Sequence, residues 1–192
     1  MTKDNIVNGP VKSHPLFNAG VSVADAPSTP KQFCFWKCSV DKAIELNRTW
    51  HSLLPKIVKS NVVRNTRCIC YLAAYGGFDW AVAIWTDPVA ANKLPDGRRS
   101  LELRRFAICE TAPRNTASCM LAWMRKDIKR LYPELVKLIS YQDMGSHVGT
   151  IYLASGWIKA STSRNVHWDT GSRVRSKPKS LAKKTRWEWS YD

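Results

Sequence analysis

A chain of 192 residues with 44% hydrophobic content carries enough apolar side chain for one sizeable core. No run approaches the roughly 18 apolar residues of a membrane helix, and no apolar signal segment opens the chain, so a cytoplasmic protein with no membrane partner is expected. Lys and Arg total 30 against 15 Asp and Glu, a formal charge of +15 that no core requires, and it points to a polyanionic partner, nucleic acid first.

Residues 1–30 mix Asn, Pro, Ser, Gly and small residues without periodicity and read as a flexible arm ahead of one domain over 31–192. Phe33, Phe35 and Trp36 open a first strand. Ser39 is placed to cap a helix over about 40–53, with Ala43, Leu46, Trp50 and Leu53 on one face and Pro55 as its stop. Two apolar runs, 68–75 and 78–85, flank Gly76-Gly77, which predicts a tight hairpin. A long loop then covers 87–99, of the kind that often carries function.

The next strand, 100–108, is apolar at 101 and 103 and then at 106 and 108, so its parity flips around Arg104-Arg105. A one-residue slip of that kind predicts a β-bulge; a strand buried on both faces is the alternative. Asn115 or Thr116 is placed to cap a helix whose stripe is Ala117, Met120, Leu121, Met124, Ile128 and Leu131. A strand over 137–143 follows, then a short helix within 147–157 that turns Val148, Ile151, Tyr152 and Ser155 inward and ends at Gly156. Beyond Arg164 the chain is basic and rich in tryptophan, a pattern that neutralises phosphates and stacks on bases. Part of this segment, about 184–191, is expected to pack on the domain as a strand. The fold class is α+β, a mixed sheet flanked by helices.

The six cysteines lie at 34, 38, 68, 70, 109 and 119. Their CxxxC and CxC spacings do not match the paired CxxC pattern of a structural zinc site, so buried thiols acting as small apolar side chains are expected.

Strand, polar turn, helix, strand and a helix ending in a small residue, Gly and an aromatic resemble the GNAT superfamily of N-acetyltransferases. In that fold the turn before the long helix offers backbone N–H groups to a cofactor pyrophosphate. Its usual glycines are replaced here by the PRNTAS run, 113–118. PRNTAS, the basic helix after it, SYQD at 140–143 and the Gly145–Tyr152 run resemble the phage Mom DNA-modification proteins more closely, as does Trp50-His51 ahead of Pro55. That resemblance implies conversion of adenine in double-stranded DNA to its N6-carbamoylmethyl form, which protects phage DNA from restriction. It implies an acyl-CoA-like or other small-molecule donor, and it admits iron.

On that basis Asp143 and His147, just past a strand end, are candidates for the base, while Tyr141 and Tyr152 are candidates to orient the electrophile or give a proton. His51 is a further catalytic candidate, and with Asp143 and His147 a conceivable iron ligand. Arg104, Arg114, Asn115, Thr116 and Ser118 are expected to hold the cofactor, and Arg175, Lys177, Lys183, Lys184 and Arg186 the DNA backbone. Each role has a plainer counterpart: Tyr152 as a core residue with a satisfied hydroxyl, and Asp143 as a cap. Two other functions stand beside the first, an acetyltransferase acting on a protein or small amine and a non-catalytic DNA-binding protein on the same scaffold.

Overall fold

The computed structural model describes residues 26–51, 57–94, 96–145, 148–163 and 183–191. Among these, seven strands, β1 (Cys34–Lys37), β2 (Cys68–Tyr75), β3 (Phe78–Thr86), β4 (Ser100–Ile108), β5 (Lys137–Asp143), β6 (Ile158–Thr162) and β7 (Lys184–Ser190), form one sheet. Its order is β1-β2-β3-β4-β5-β7-β6. Only the central pair, β4 and β5, is parallel, because a helix carries the chain back between them; every other pairing is antiparallel. The helices are α1 (Val40–Trp50), α2 (Ser60–Val63), α3 (Thr116–Leu131) and α4 (Thr150–Ala154).

Two apolar clusters lie on opposite faces of the sheet. Ala43, Ile44 and Leu46 of α1 pack on Cys70, Leu72, Val82, Ile84 and Ala107. On the other face, Met120, Leu121, Met124 and Ile128 of α3 pack with Tyr71, Trp85, Leu101, Leu138 and Tyr152. The helical spacing of the α3 stripe accounts for this burial. The C-terminal strand is tied to the same helix: the Arg125 guanidinium lies 3.7 Å from the centre of the Trp189 ring, and the Tyr191 hydroxyl donates to the Arg125 carbonyl at 2.6 Å.

Several boundaries differ from the expected ones. Ser39 caps α1, its Oγ accepting from Lys42 N at 3.2 Å, but the helix ends at Trp50, and Leu53 and Pro55 lie outside the described residues. Ala26 packs at the core's edge and Thr29 caps a short turn over Pro30–Gln32, so local order reaches back before residue 31. Within 87–99 the chain makes two short 3-10 turns, Ala91–Lys93 and Gly97–Arg99. Val148 is 84% exposed, outside the stripe assigned to it, because the helix begins only at Thr150. All six cysteines are free, and Cys34 is exposed rather than buried because β1 lies at the sheet edge.

Candidate active site

The parity flip in β4 is a bulge. Ile84 pairs with Arg105 and Trp85 with Leu103, leaving Arg104 with no partner on β3. Leu101 and Leu103 before it, and Phe106 and Ile108 after it, all pack toward the α3 cluster. The β4–β5 ladder ends at the same level: its last pair is Leu103 with Ser140. Beyond it β4 continues to Ile108 on β3 alone, and β5 continues to Asp143 on β7 alone. The two central strands therefore diverge, and β4 presents backbone groups past the bulge to the gap.

The chain leaves β4 into PRNTAS and enters α3 beside this fork. Asn115 adopts φ 68, the left-handed conformation a glycine would ordinarily supply, which shows how the turn forms without one. Its side chain makes no capping bond. Thr116 Oγ1 donates back to the Pro113 carbonyl at 2.7 Å, and Ser118 Oγ to the Asn115 carbonyl at 3.0 Å. The amides of Ala117 and Ser118 donate to no backbone carbonyl among the described residues. Two open N–H groups at the positive end of a helix of 16 residues suit an anionic group. Arg114 and Asn115 are exposed beside them, while Thr116 is buried.

Tyr152 stands at the base of the fork. Its hydroxyl is 2.8 Å from Ser140 Oγ, and its ring stacks on Trp187 at 5.2 Å and meets Trp157 edge-on at 5.6 Å. Burial raises its pKa, and the Ser140 hydrogen bond pulls the other way. The phenol is thus neutral near pH 7, a proton donor rather than a base. Gly149 lets α4 seat here: a Cβ on it would lie 2.6 Å from both Gln142 Oε1 and the Trp187 ring.

Strand alternation puts the other candidates on the opposite face. Tyr141, 42% exposed, lies across from Arg186, and Asp143 across from Lys184. The Asp143 carboxylate accepts from Gly145 N at 2.9 Å, closing the turn after β5. Burial raises the Tyr141 phenol, the Glu102 carboxylate adds to this, and the Arg186 guanidinium opposes it. Glu102 takes Val89 N at 2.9 Å and lies 3.5 Å from Arg104, while Arg186 lies 2.8 Å from Glu188. Lys183 is exposed, Lys184 half-buried, and His51, also half-buried, ends α1 with its N–H on the Asn47 carbonyl.

The structure thus gathers Arg114, Asn115, Thr116 and Ser118 at one helix end, Tyr152 at the fork, and Tyr141, Asp143, Arg104, Lys184 and Arg186 on the far face. His147, Arg175 and Lys177 lie outside the described residues. No group of three or more His, Cys, Asp or Glu residues is arranged to hold a metal among the described residues. Ser140, Gln142 and Trp187 carried no individual role in the sequence: Ser140 meets Tyr152 across 12 residues, and the Trp187 indole donates to Gln142 Oε1 at 2.6 Å only because β7 pairs with β5.

No helix among the described residues is long and apolar enough to cross a membrane. The fold is that of GNAT acetyltransferases. An acetyltransferase from Bacillus subtilis in complex with CoA superposes with a TM-score of 0.58 at 13% identity, over 83% of this chain and 99% of that one. A ribosomal-protein-alanine N-acetyltransferase from Brucella melitensis gives 0.59 at 12% identity, over 82% and 99%. A GNAT family acetyltransferase from Elizabethkingia anophelis with acetyl-CoA bound gives 0.55 at 13%, over 83% and 99%. No curated protein sequence matches the chain. The sequence profile of the Mom protein family matches residues 86–190, which spans the bulge, the fork, the α3 turn, Tyr152 and β7, and the chain belongs to that family.

Proposed function

We propose that this protein is a transferase that modifies the N6 amine of adenine in double-stranded DNA, adding a carbamoylmethyl group. The observation that carries this reading is the β4–β5 fork with the Tyr152 hydroxyl at its base, in a chain of the Mom family. The charge of +15, with Lys183 and Lys184 at the start of β7 opposite Asp143, supports a nucleic-acid substrate.

A donor of the CoA type fits the residues present. The free amides of Ala117 and Ser118 would hold its phosphates, with Arg114 alongside. For a carbamoylmethyl product such a donor would carry the methylene carbon of that group on its sulfur, and the C–S bond would break as the N6–CH2 bond forms, the sulfur leaving as the thiol. The β4 backbone past the bulge is placed to hydrogen-bond a carbonyl oxygen in the gap. Tyr152, neutral and buried, holds the proton that the leaving atom needs as it takes the bonding electron pair. Asp143, on the opposite face of β5, is the candidate to receive the proton that N6 loses as its new bond to carbon forms. On this reading the acid and the base would work from the two faces of β5.

Mass spectrometry of nucleosides from DNA of cells expressing the protein tests this reading. A deoxyadenosine carrying the added mass is expected; unmodified deoxyadenosine alongside well-folded protein sinks it. A second reading, N-acetylation of a protein or small amine, draws on the likeness to the Brucella enzyme, which is one of fold. Acetyl transfer to amines with no affinity for DNA would establish it instead.

A further inference from the structure

Past Leu103 and Ser140, the last pair of the β4–β5 ladder, the next residues on the two diverging strands are Arg104 and Tyr141. Ser140 turns to Tyr152 on the α3 face, so alternation turns Tyr141 to the face on which α1 packs. Of the six tyrosines in the chain, Tyr141 alone is exposed. Its hydroxyl is nevertheless held. The Arg186 guanidinium, across on β7, hydrogen-bonds the phenol, and the Glu102 carboxylate of β4 lies near enough to act on it. Arg186 is fixed in turn by Glu188 at 2.8 Å, whose other carboxylate oxygen takes Lys137 at 3.0 Å. The ring is thus anchored at its polar end by a chain of charges across β5 and β7, and its flat surface stays open. A tyrosine has only two side-chain torsions, so such anchoring leaves a rigid aromatic face ready for contact.

The surroundings match what an extruded base requires. Asp143 follows two residues on, on the same face and about 7 Å along the strand, and Lys184 stands across from it. A base taken out of the duplex gives up its stacking neighbours, and an aromatic face returns part of that loss. An open ring at the mouth of the fork, with a carboxylate beside it for an exocyclic amine and a lysine for the phosphate, supplies these groups together. We propose that Tyr141 is the platform on which the extruded adenine stacks, with its N6 amine turned toward Asp143 and the fork. This rests on the adenine-modification reading and gives Tyr141 a part separate from proton transfer: the ring makes the contact, and the hydroxyl anchors the ring.

The test uses the full chain and two short strands of abasic sugar-phosphate, one abasic throughout and one carrying a single central adenine. Their charges match, and no duplex need be opened. Affinities are read by fluorescence anisotropy at fixed salt. The wild-type protein is expected to bind the adenine strand about tenfold more tightly, within the range for one base on one aromatic ring. Tyr141→Leu should bring the two strands to within about twofold of each other while leaving affinity for the abasic strand unchanged, which shows the fold and the phosphate contacts intact. Tyr141→Ser, measured beside it, guards against a packing defect peculiar to leucine. Tyr141→Phe and Tyr141→Trp keep a ring and should keep the preference. Equal wild-type affinity for the two strands, a preference that survives in Tyr141→Leu and Tyr141→Ser, or one lost as fully in Tyr141→Phe would each overturn the platform. Nucleoside mass spectrometry runs in parallel. Adenine modification without a ring-dependent preference defeats the platform alone; the preference without modification defeats the chemistry alone; the absence of both defeats both.

Discussion

The Tyr152 hydroxyl lies 2.8 Å from Ser140 Oγ, and Ser140 is the last β5 residue paired with β4. The buried phenol at the fork is thus held at the point where the sheet opens. Trp187 and Trp157 fix the ring, and the Ser140 hydroxyl holds the phenol oxygen in place.

From this geometry Tyr152→Phe removes a proton donor while keeping the packed ring. Adenine modification is expected to fall by about 10²–10⁴-fold. Stability should fall by only ~1 kcal/mol, the net worth of one hydrogen bond. Initial rates by nucleoside mass spectrometry and a urea titration of the same variant check both halves; an active Tyr152→Phe enzyme would remove Tyr152 from the mechanism.

Ser118 sits in the first turn of α3, where a negative charge helps the helix and harms an anionic ligand. Ser118→Asp is therefore expected to raise stability by about 0.3–1 kcal/mol through the helix dipole. The same change should weaken binding of CoA by about tenfold or more, because the carboxylate repels phosphates drawn to the amides of Ala117 and Ser118. Calorimetric titration with CoA, beside thermal unfolding, reads the two effects. A variant that loses stability and cofactor affinity together would point to local disruption instead.

Asp79 of β3 has no exposed side-chain surface, and its one ion pair among the described residues is with Lys42 of α1 at 3.2 Å. Burial raises its carboxyl pKa, and Lys42 opposes the shift without cancelling it. The folded state thus holds this proton more tightly than the unfolded chain does. Its contribution to stability is complete below the unfolded carboxylate range and is lost as pH rises through the raised folded value. Asp79→Asn lacks that loss, so its stability relative to the wild type should grow from pH 4 to pH 7.5. Urea midpoints at both pH values test it, and a constant difference would contradict the assignment.

Much of this was legible in the residues themselves. A period-two pattern that slips by one residue at Arg104-Arg105 fits a bulge or a strand buried on both faces, and the β3–β4 register shows the bulge. The α3 stripe and the β7 strand follow likewise from periodicity and from aromatic residues that need a surface to bury against. The split of the candidate site across β5 was hidden, since which face Tyr141 or Asp143 takes depends on where the ladders fall. Asn115 shows the opposite case: PRNTAS reads as a turn, but with no glycine in it nothing marked which residue takes the left-handed conformation, and that residue is an asparagine.

Lys184 opens β7 across from Asp143 and Lys183 precedes it, its carbonyl accepting from Met144 N, whereas Arg186, further along, is half-buried and engaged by Glu188 at 2.8 Å. The three cations therefore differ in what reversing them does. Lys183→Glu with Lys184→Glu should weaken DNA binding uniformly across sequences and lower the slope of log affinity against log salt by about 1–2, roughly one unit for each phosphate that the protein no longer neutralises. Arg186→Glu would place a second carboxylate against Glu188 inside the sheet, so it should cost stability first and affinity only as a consequence. Anisotropy titrations from about 50 to 200 mM salt, each paired with a thermal melt, separate the two. An unchanged slope in the double-lysine variant would move the DNA backbone away from the start of β7, and the fork would then need a different approach for its substrate strand.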